Sequence, residues 1–208
     1  MKPPAYPWLF CSLFITTLPA TATQLVGADF SGGVGFVSST LGGGLGLQRT
    51  NTCSGCAAGS VGGHLIFDLD QKPGSGSGFV NVPLAAVAGQ GAADIFSIDL
   101  GELPLTFRFD DANIQGGPAI QFNNGVFNGL FFVEDFVHDG TPYQLNVQGG
   151  AWTLYGENFA NVASGYIATG DANLTNQQPV PSVPLPATVS LLGSALLALA
   201  GVGKRMRR

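Results

Sequence analysis

Tyr143-Gln144-Leu145-Asn146-Val147-Gln148 and Leu105-Thr106-Phe107-Arg108-Phe109-Asp110 alternate apolar and polar residues with a period of two. That period matches a strand with one buried and one solvated face, because successive side chains point to opposite sides of the sheet. Working outward, His64–Leu69, Ile95–Leu100, Gly129–Val133, Trp152–Tyr155 and Gly165–Thr169 read as further strands. Glycine- and proline-containing stretches separate them, notably Gln71–Gly78, Gln115–Pro118 and Asp139–Pro142. Composition agrees: the chain has 31 Gly and 15 Phe, and only 8 Lys plus Arg, so it lacks the residues that clothe exposed helix faces. Many short strands joined by such turns imply an all-β fold, an antiparallel sandwich or jelly roll.

The start of this body is harder to divide. Gly27 to Leu47 is rich in Gly and Ser, with Val34, Phe36, Leu41, Leu45 and Leu47 scattered through it. Two strands joined by glycine turns are expected there; a flexible segment is the other reading, since glycine raises the entropic cost of ordering. No fixed-period repeat is visible, which argues against a solenoid. Residues 23–172 are expected to form one exported β-rich domain, large enough for its own core. Residues 173–182, NLTNQQPVPS, are polar and end in prolines, and read as a linker.

Both ends of the chain differ from this body. Residues 1–22 read as a secretory signal peptide, with Lys2 as its only positive residue and Trp8–Leu18 as its apolar segment. Ala20-Thr21-Ala22 supplies small residues for cleavage after Ala22. Cys11 lies in the discarded segment; Phe10 stands before it where a lipoprotein site needs a small residue. At the other end, Val183-Pro184-Leu185-Pro186-Ala187 precedes an uncharged, mostly apolar run to Gly203, closed by Lys204, Arg205, Arg207 and Arg208. As a helix that run covers roughly 26 Å, at the short end of a membrane span. The basic residues suit the cytoplasmic face. An ordinary core helix would carry an amphipathic stripe, and none is present.

These three parts resemble the PEP-CTERM class of bacterial sorting signals, in its VPLPA variant. The match rests on Val183, Pro184, Leu185, Pro186 and Ala187, on Leu191-Leu192-Gly193 and Leu196-Leu197-Ala198-Leu199, and on the basic end, about one-eighth of the chain. The resemblance implies export across the inner membrane, recognition by an exosortase-like membrane protease, and removal of the tail. It names a route and no activity. Leu185-Pro186-Ala187-Thr188 also resembles the start of the sortase LPXTG signal, but Val189 stands where that signal has Gly.

Between its two ends the body carries three basic residues, Arg49, Lys72 and Arg108, against all thirteen acidic ones, a net charge of −10. Such a body has no electrostatic footprint for nucleic acid and would be repelled by anionic headgroups. Solubility, cation binding or contact with neutral glycans such as exopolysaccharide fits better. Cys53-Ser54-Gly55-Cys56 admits a redox pair, a zinc half-site or a structural disulfide. A redox pair wants a helix N-terminus and zinc a second ligand pair, so a loop-pinning disulfide formed after export is expected. Asp68, Asp70, Asp110, Asp111, Glu134, Asp135 and Asp139 are suited to calcium loops but fit neither the EF-hand loop nor a glycine–aspartate repeat, and Asp is a common turn residue.

No nucleophile elbow, Walker loop, dinucleotide fingerprint or H-E-x-x-H is present in the sequence. His64 and His138 read as surface or structural residues. No catalytic residue, metal ligand or cofactor is assigned. Tyr143, Trp152, Tyr155 and Tyr166 would stack on sugar rings if they faced outward, although aromatics at strand spacing usually pack in the core. The cluster Phe127, Phe131, Phe132 and Phe136 reads as core. The expected protein is a non-enzymatic surface or matrix protein with a structural or adhesive role, held transiently in the membrane by its tail. The alternatives are a carbohydrate-active enzyme on a jelly-roll scaffold, whose carboxylate pair would leave no local spacing signature, and a permanently anchored glycan-binding module.

Overall fold

The computed structural model describes residues 23–42, 44–103, 105–113 and 117–181. The expected signal peptide, sorting motif, membrane helix and basic end lie outside these residues. Among the described residues no helix is long and apolar enough to cross a membrane. Eleven strands follow in chain order: β1 (Leu25–Val37), β2 (Ser60–Asp68), β3 (Phe79–Pro83), β4 (Phe96–Leu100), β5 (Thr106–Arg108), β6 (Ala119–Asn123), β7 (Val126–His138), β8 (Thr141–Gly149), β9 (Ala151–Tyr155), β10 (Asn161–Ile167) and β11 (Thr175–Pro179). Among the described residues one short α-helix, α1 (Ala92–Ile95), leads into β4.

All recorded strand pairs are antiparallel, in one sheet of order β3-β6-β7-β8-β9-β10-β1-β2-β4-β5 with β11 beside β1. The hydrogen-bonded ladder is continuous; the chain does not divide into two separately paired sheets. The sheet curls into a half-barrel. Its wings meet face to face: Phe67 of β2 lies 6.0 Å from Phe122 of β6, and Phe96 of β4 lies 5.0 Å from Phe132 of β7. The concave side is filled by Trp152, Phe96, Phe122, Phe127 and Phe132, all fully buried, with Leu65, Ile98, Leu130, Leu145 and Leu154.

Two hairpins are written into local sequence. Asn124-Gly125 and Asp139-Gly140 have φ of 52° and 82°, and 49° and 77°. Two successive positive φ values make type I′ turns, whose twist matches that of the strands they join. Between them β7 carries a bulge at Gly129, where a Cβ would fall 2.0 Å from the Gly149 carbonyl oxygen, so only glycine allows the strands to meet there.

Several expectations change. The glycine-rich start forms one long strand, β1, not two; Leu45 and Leu47 plug the core from the loop that follows. Residues Thr175–Pro179, expected within a linker, form β11 against β1. All five β11 side chains are exposed. A strand held by backbone bonds and polar side chains leaves no apolar alternation to read. Strands β3 and β6 were not anticipated, and Glu134, Asp135 and Phe136 sit within β7. The edges are blunted. Leu84 N–H donates to Pro118 O, and Asn124 N–H donates to Gly78 O, which places odd-numbered β3 residues outward. Pro83 is among them and offers no donor to a further strand.

Candidate functional site

The expected sites fall into three groups. Cys53 and Cys56 form a disulfide. It closes a loop that Thr50 ties to β1: Thr50 N–H donates to Val34 O at 2.9 Å, Val34 N–H donates to Thr50 Oγ1 at 2.8 Å, and that hydroxyl reaches Gly59 O. Asp68 accepts from Asp70 N–H and Gln71 Nε2, and Asp111 accepts from Arg108 N–H at 2.7 Å, so both serve turns. Among the described residues no three His, Cys, Asp or Glu side chains converge as metal ligands would.

Asp29, His64 and Ser97 lie side by side on β1, β2 and β4, the residue types a serine hydrolase uses. His64 Nδ1 is 2.6 Å from Asp29 Oδ1. The ring, however, leans the other way from Ser97: a Cβ on Gly27 of β1 would lie 3.3 Å from His64 Cε1 and 3.4 Å from Nε2. Asn176 Nδ2 donates to the second Asp29 oxygen at 2.6 Å, and this bond, with His64, holds the Asp29 carboxyl below its usual range. The group joins three strands and brings no hydroxyl to the imidazole.

A different place gathers exposed aromatic surface. The end of β7, the start of β8, the end of β9 and the turn after it line a shallow open groove of about 470 Å³. Tyr155 and Phe159 supply its rings, and Asp135, Gln144, Glu157 and Asn158 its polar groups; Tyr143 borders the groove but shares the core face of β8 with Leu145 and Val147. A second hollow of about 260 Å³ adjoins it across Glu157 and Asn158, beside the exposed Leu41. Phe136 stacks on Tyr143 at 5.6 Å and contacts Phe107 edge-on at 5.0 Å, so the groove floor is braced by the core. Gln144 Nε2 donates to Asp135 Oδ1 at 2.8 Å, orienting both.

Phe159 is the residue that sets this groove apart. It is 75 % exposed, yet it touches Tyr155 edge-on at 6.2 Å. Asn158 and Phe159 both adopt left-handed backbone, with φ of 56° and 55°. Asn tolerates that region; for Phe it is strained. The turn is closed by Gly156 N–H donating to Ala160 O and Ala160 N–H donating to Glu157 O. The backbone thus holds an apolar ring in solvent at a cost in strain.

Of the four aromatics singled out in the sequence, Tyr143 and Tyr155 line the groove. Trp152 is core, its Nε1 donating to Gly33 O at 3.2 Å, and Tyr166 is exposed elsewhere. Of the phenylalanine cluster, Phe127 and Phe132 are fully buried, and Phe136 spans core and groove. Phe159 was not singled out; its only local signal is Gly156 and Asn158 beside it. No family model matches the chain, and no curated protein or solved structure shows significant similarity to it.

Proposed function

We propose that the protein is a non-enzymatic, exported surface or extracellular-matrix protein that holds neutral polysaccharide in the Tyr155–Phe159 groove. The single observation that carries the reading is the exposed, backbone-strained Phe159 ring beside Tyr155. Sugar rings present C–H faces to aromatic planes and hydroxyls to amides and carboxylates, and the groove offers both in one open channel. Asp135 and Glu157 line it, so an acidic polymer would be repelled and a neutral one tolerated. The role is structural or adhesive, on a curled antiparallel β body. Delivery follows the C-terminal signal: a span from Ala187 to Gly203, an exosortase-like protease acting near Val183–Ala187, then release to the surface or matrix.

Affinity electrophoresis through gels containing neutral polysaccharides tests the ligand. Retardation of the wild type, abolished in Tyr155→Ala and Phe159→Ala, is expected; equal mobility of all three on every polymer refutes it. Intact mass spectrometry of membrane and extracellular fractions tests the route. A species starting at Thr23 and ending near Ala187 supports sorting, and one retaining Arg208 only in membranes removes the processing step. A second reading, a glycosidase, is favoured by Asp135 and Glu157 facing one groove. Release of reducing sugar by the wild type but not by Asp135→Asn or Glu157→Gln would replace the binding role.

A further inference from the structure

We infer that the fold transmits tension along its strands, from the groove at one end to the chain exit at the other, with β11 as an anchor loaded in shear. The inference builds on the proposed route at the stage before the tail is cut, when ligand and membrane-held tail pull on opposite ends, but its geometry stands on strand register alone.

The register places the two sites at opposite ends. Strand β1 begins where the chain leaves: Val180 N–H donates to Leu25 O at 2.9 Å, and Val26 faces Pro179. It ends at Val37, opposite Ala163 of β10. That level continues through Leu154 of β9 and Leu145 of β8 to Glu134 of β7. Tyr143, Tyr155 and the turn bearing Phe159 lie at or past it, so the groove is about 40 Å from the exit along a thirteen-residue strand.

Antiparallel hydrogen bonds run perpendicular to the strands. A pull on the tail directed away from the groove lies along β11, and every β11–β1 bond must yield together. A pull that separates Val180 sideways from Leu25 opens them one at a time. The short strand is reinforced against sliding. Asn176, left-handed at φ 51°, bonds Asp29; Leu174 is buried; Asp171 accepts from Phe127 N–H at 2.9 Å and from Lys72 Nζ at 2.9 Å. Pro179 falls between Val180 and Gln178, where the alternation turns its nitrogen away from β1, so it costs no bond. A plain linker would need none of these attachments.

Single-molecule force spectroscopy on the full chain in detergent micelles tests this. One ligation tag follows Arg208; the second sits either in the Asp139–Gly140 turn or ahead of Thr23. Rupture force several-fold higher with the Asp139–Gly140 tag is expected, and equal or reversed forces overturn the inference. Gln178→Pro, which removes a β11 donor to β1, is expected to bring the higher force down towards the lower, and Asn176→Ala to lower it part of the way. No change in either variant overturns the assignment to β11. Neither measurement needs ligand, so anisotropy without polysaccharide retention refutes the proposed ligand and leaves the mechanical inference standing.

Discussion

Glu134 makes the stability of this fold depend on pH in an unusual direction. It lies on the same face of β7 as Phe132 and Phe136, and its Oε2 is buried without a hydrogen-bond partner. Burial, followed by repulsion from Asp111 and Asp135, pushes its carboxyl from 4.5 up to about 7, against a hydrogen bond from the Asn113 N–H. A raised carboxyl favours the folded state fully below pH 4.5, and that advantage is lost as pH rises through about 7. A displacement of this size corresponds to about 3 kcal/mol. Partial solvent exposure of the side chain reduces the expectation to ~1–2 kcal/mol. Glu134→Gln mimics the protonated acid at every pH. Urea midpoints followed by fluorescence of the buried Trp152 at pH 5 to 8 should show the wild type weakening relative to Glu134→Gln, with the variant ahead by ~1–2 kcal/mol at pH 8. Because the readout is the difference between two proteins, titration of other groups cancels. Parallel stability curves from pH 5 to 8 would refute the burial of this carboxylate.

Phe159→Gly should relieve the left-handed strain and stabilise by ~1 kcal/mol in thermal unfolding, while abolishing retardation in polysaccharide gels. A variant that loses stability would show that the ring serves the fold. Gly165→Ala would place a Cβ 2.0 Å from Gly33 O and 2.6 Å from Trp152 Nε1, so chemical denaturation should show a loss of ~3 kcal/mol or more. The paired change Cys53→Ser with Cys56→Ser opens a ring spanning only three residues in sequence and should cost about 2 kcal/mol or less. Proteolysis should nick the 49–59 loop faster, since only hydrogen bonds such as those of Thr50 and Gln48 then hold it.

The sequence by itself determined the strand class and several strand positions. Tyr143–Gln148 sits inside β8, Trp152–Tyr155 inside β9 and Ile95–Leu100 over β4, because one face of each is buried and the two-residue period survives in composition. It also placed the disulfide. Asn124-Gly125 carried a hairpin signal for β6 and β7 as clear as Asp139-Gly140, although the strand reading did not use it. Other features left no local trace. Strand β11 is held by backbone bonds, and its polar side chains read as linker. Glycine permits but does not signal a single thirteen-residue β1. The curl of one sheet into facing wings depends on which strands neighbour which, a long-range matter that periodicity cannot encode. The groove is the sharpest case. Tyr143, Tyr155 and Trp152 are equivalent aromatics in sequence, and only the direction of each side chain across the curled sheet separates core from surface. Phe159 stays exposed because the turn after β9 holds it in left-handed backbone, a constraint imposed by the strands that the turn joins.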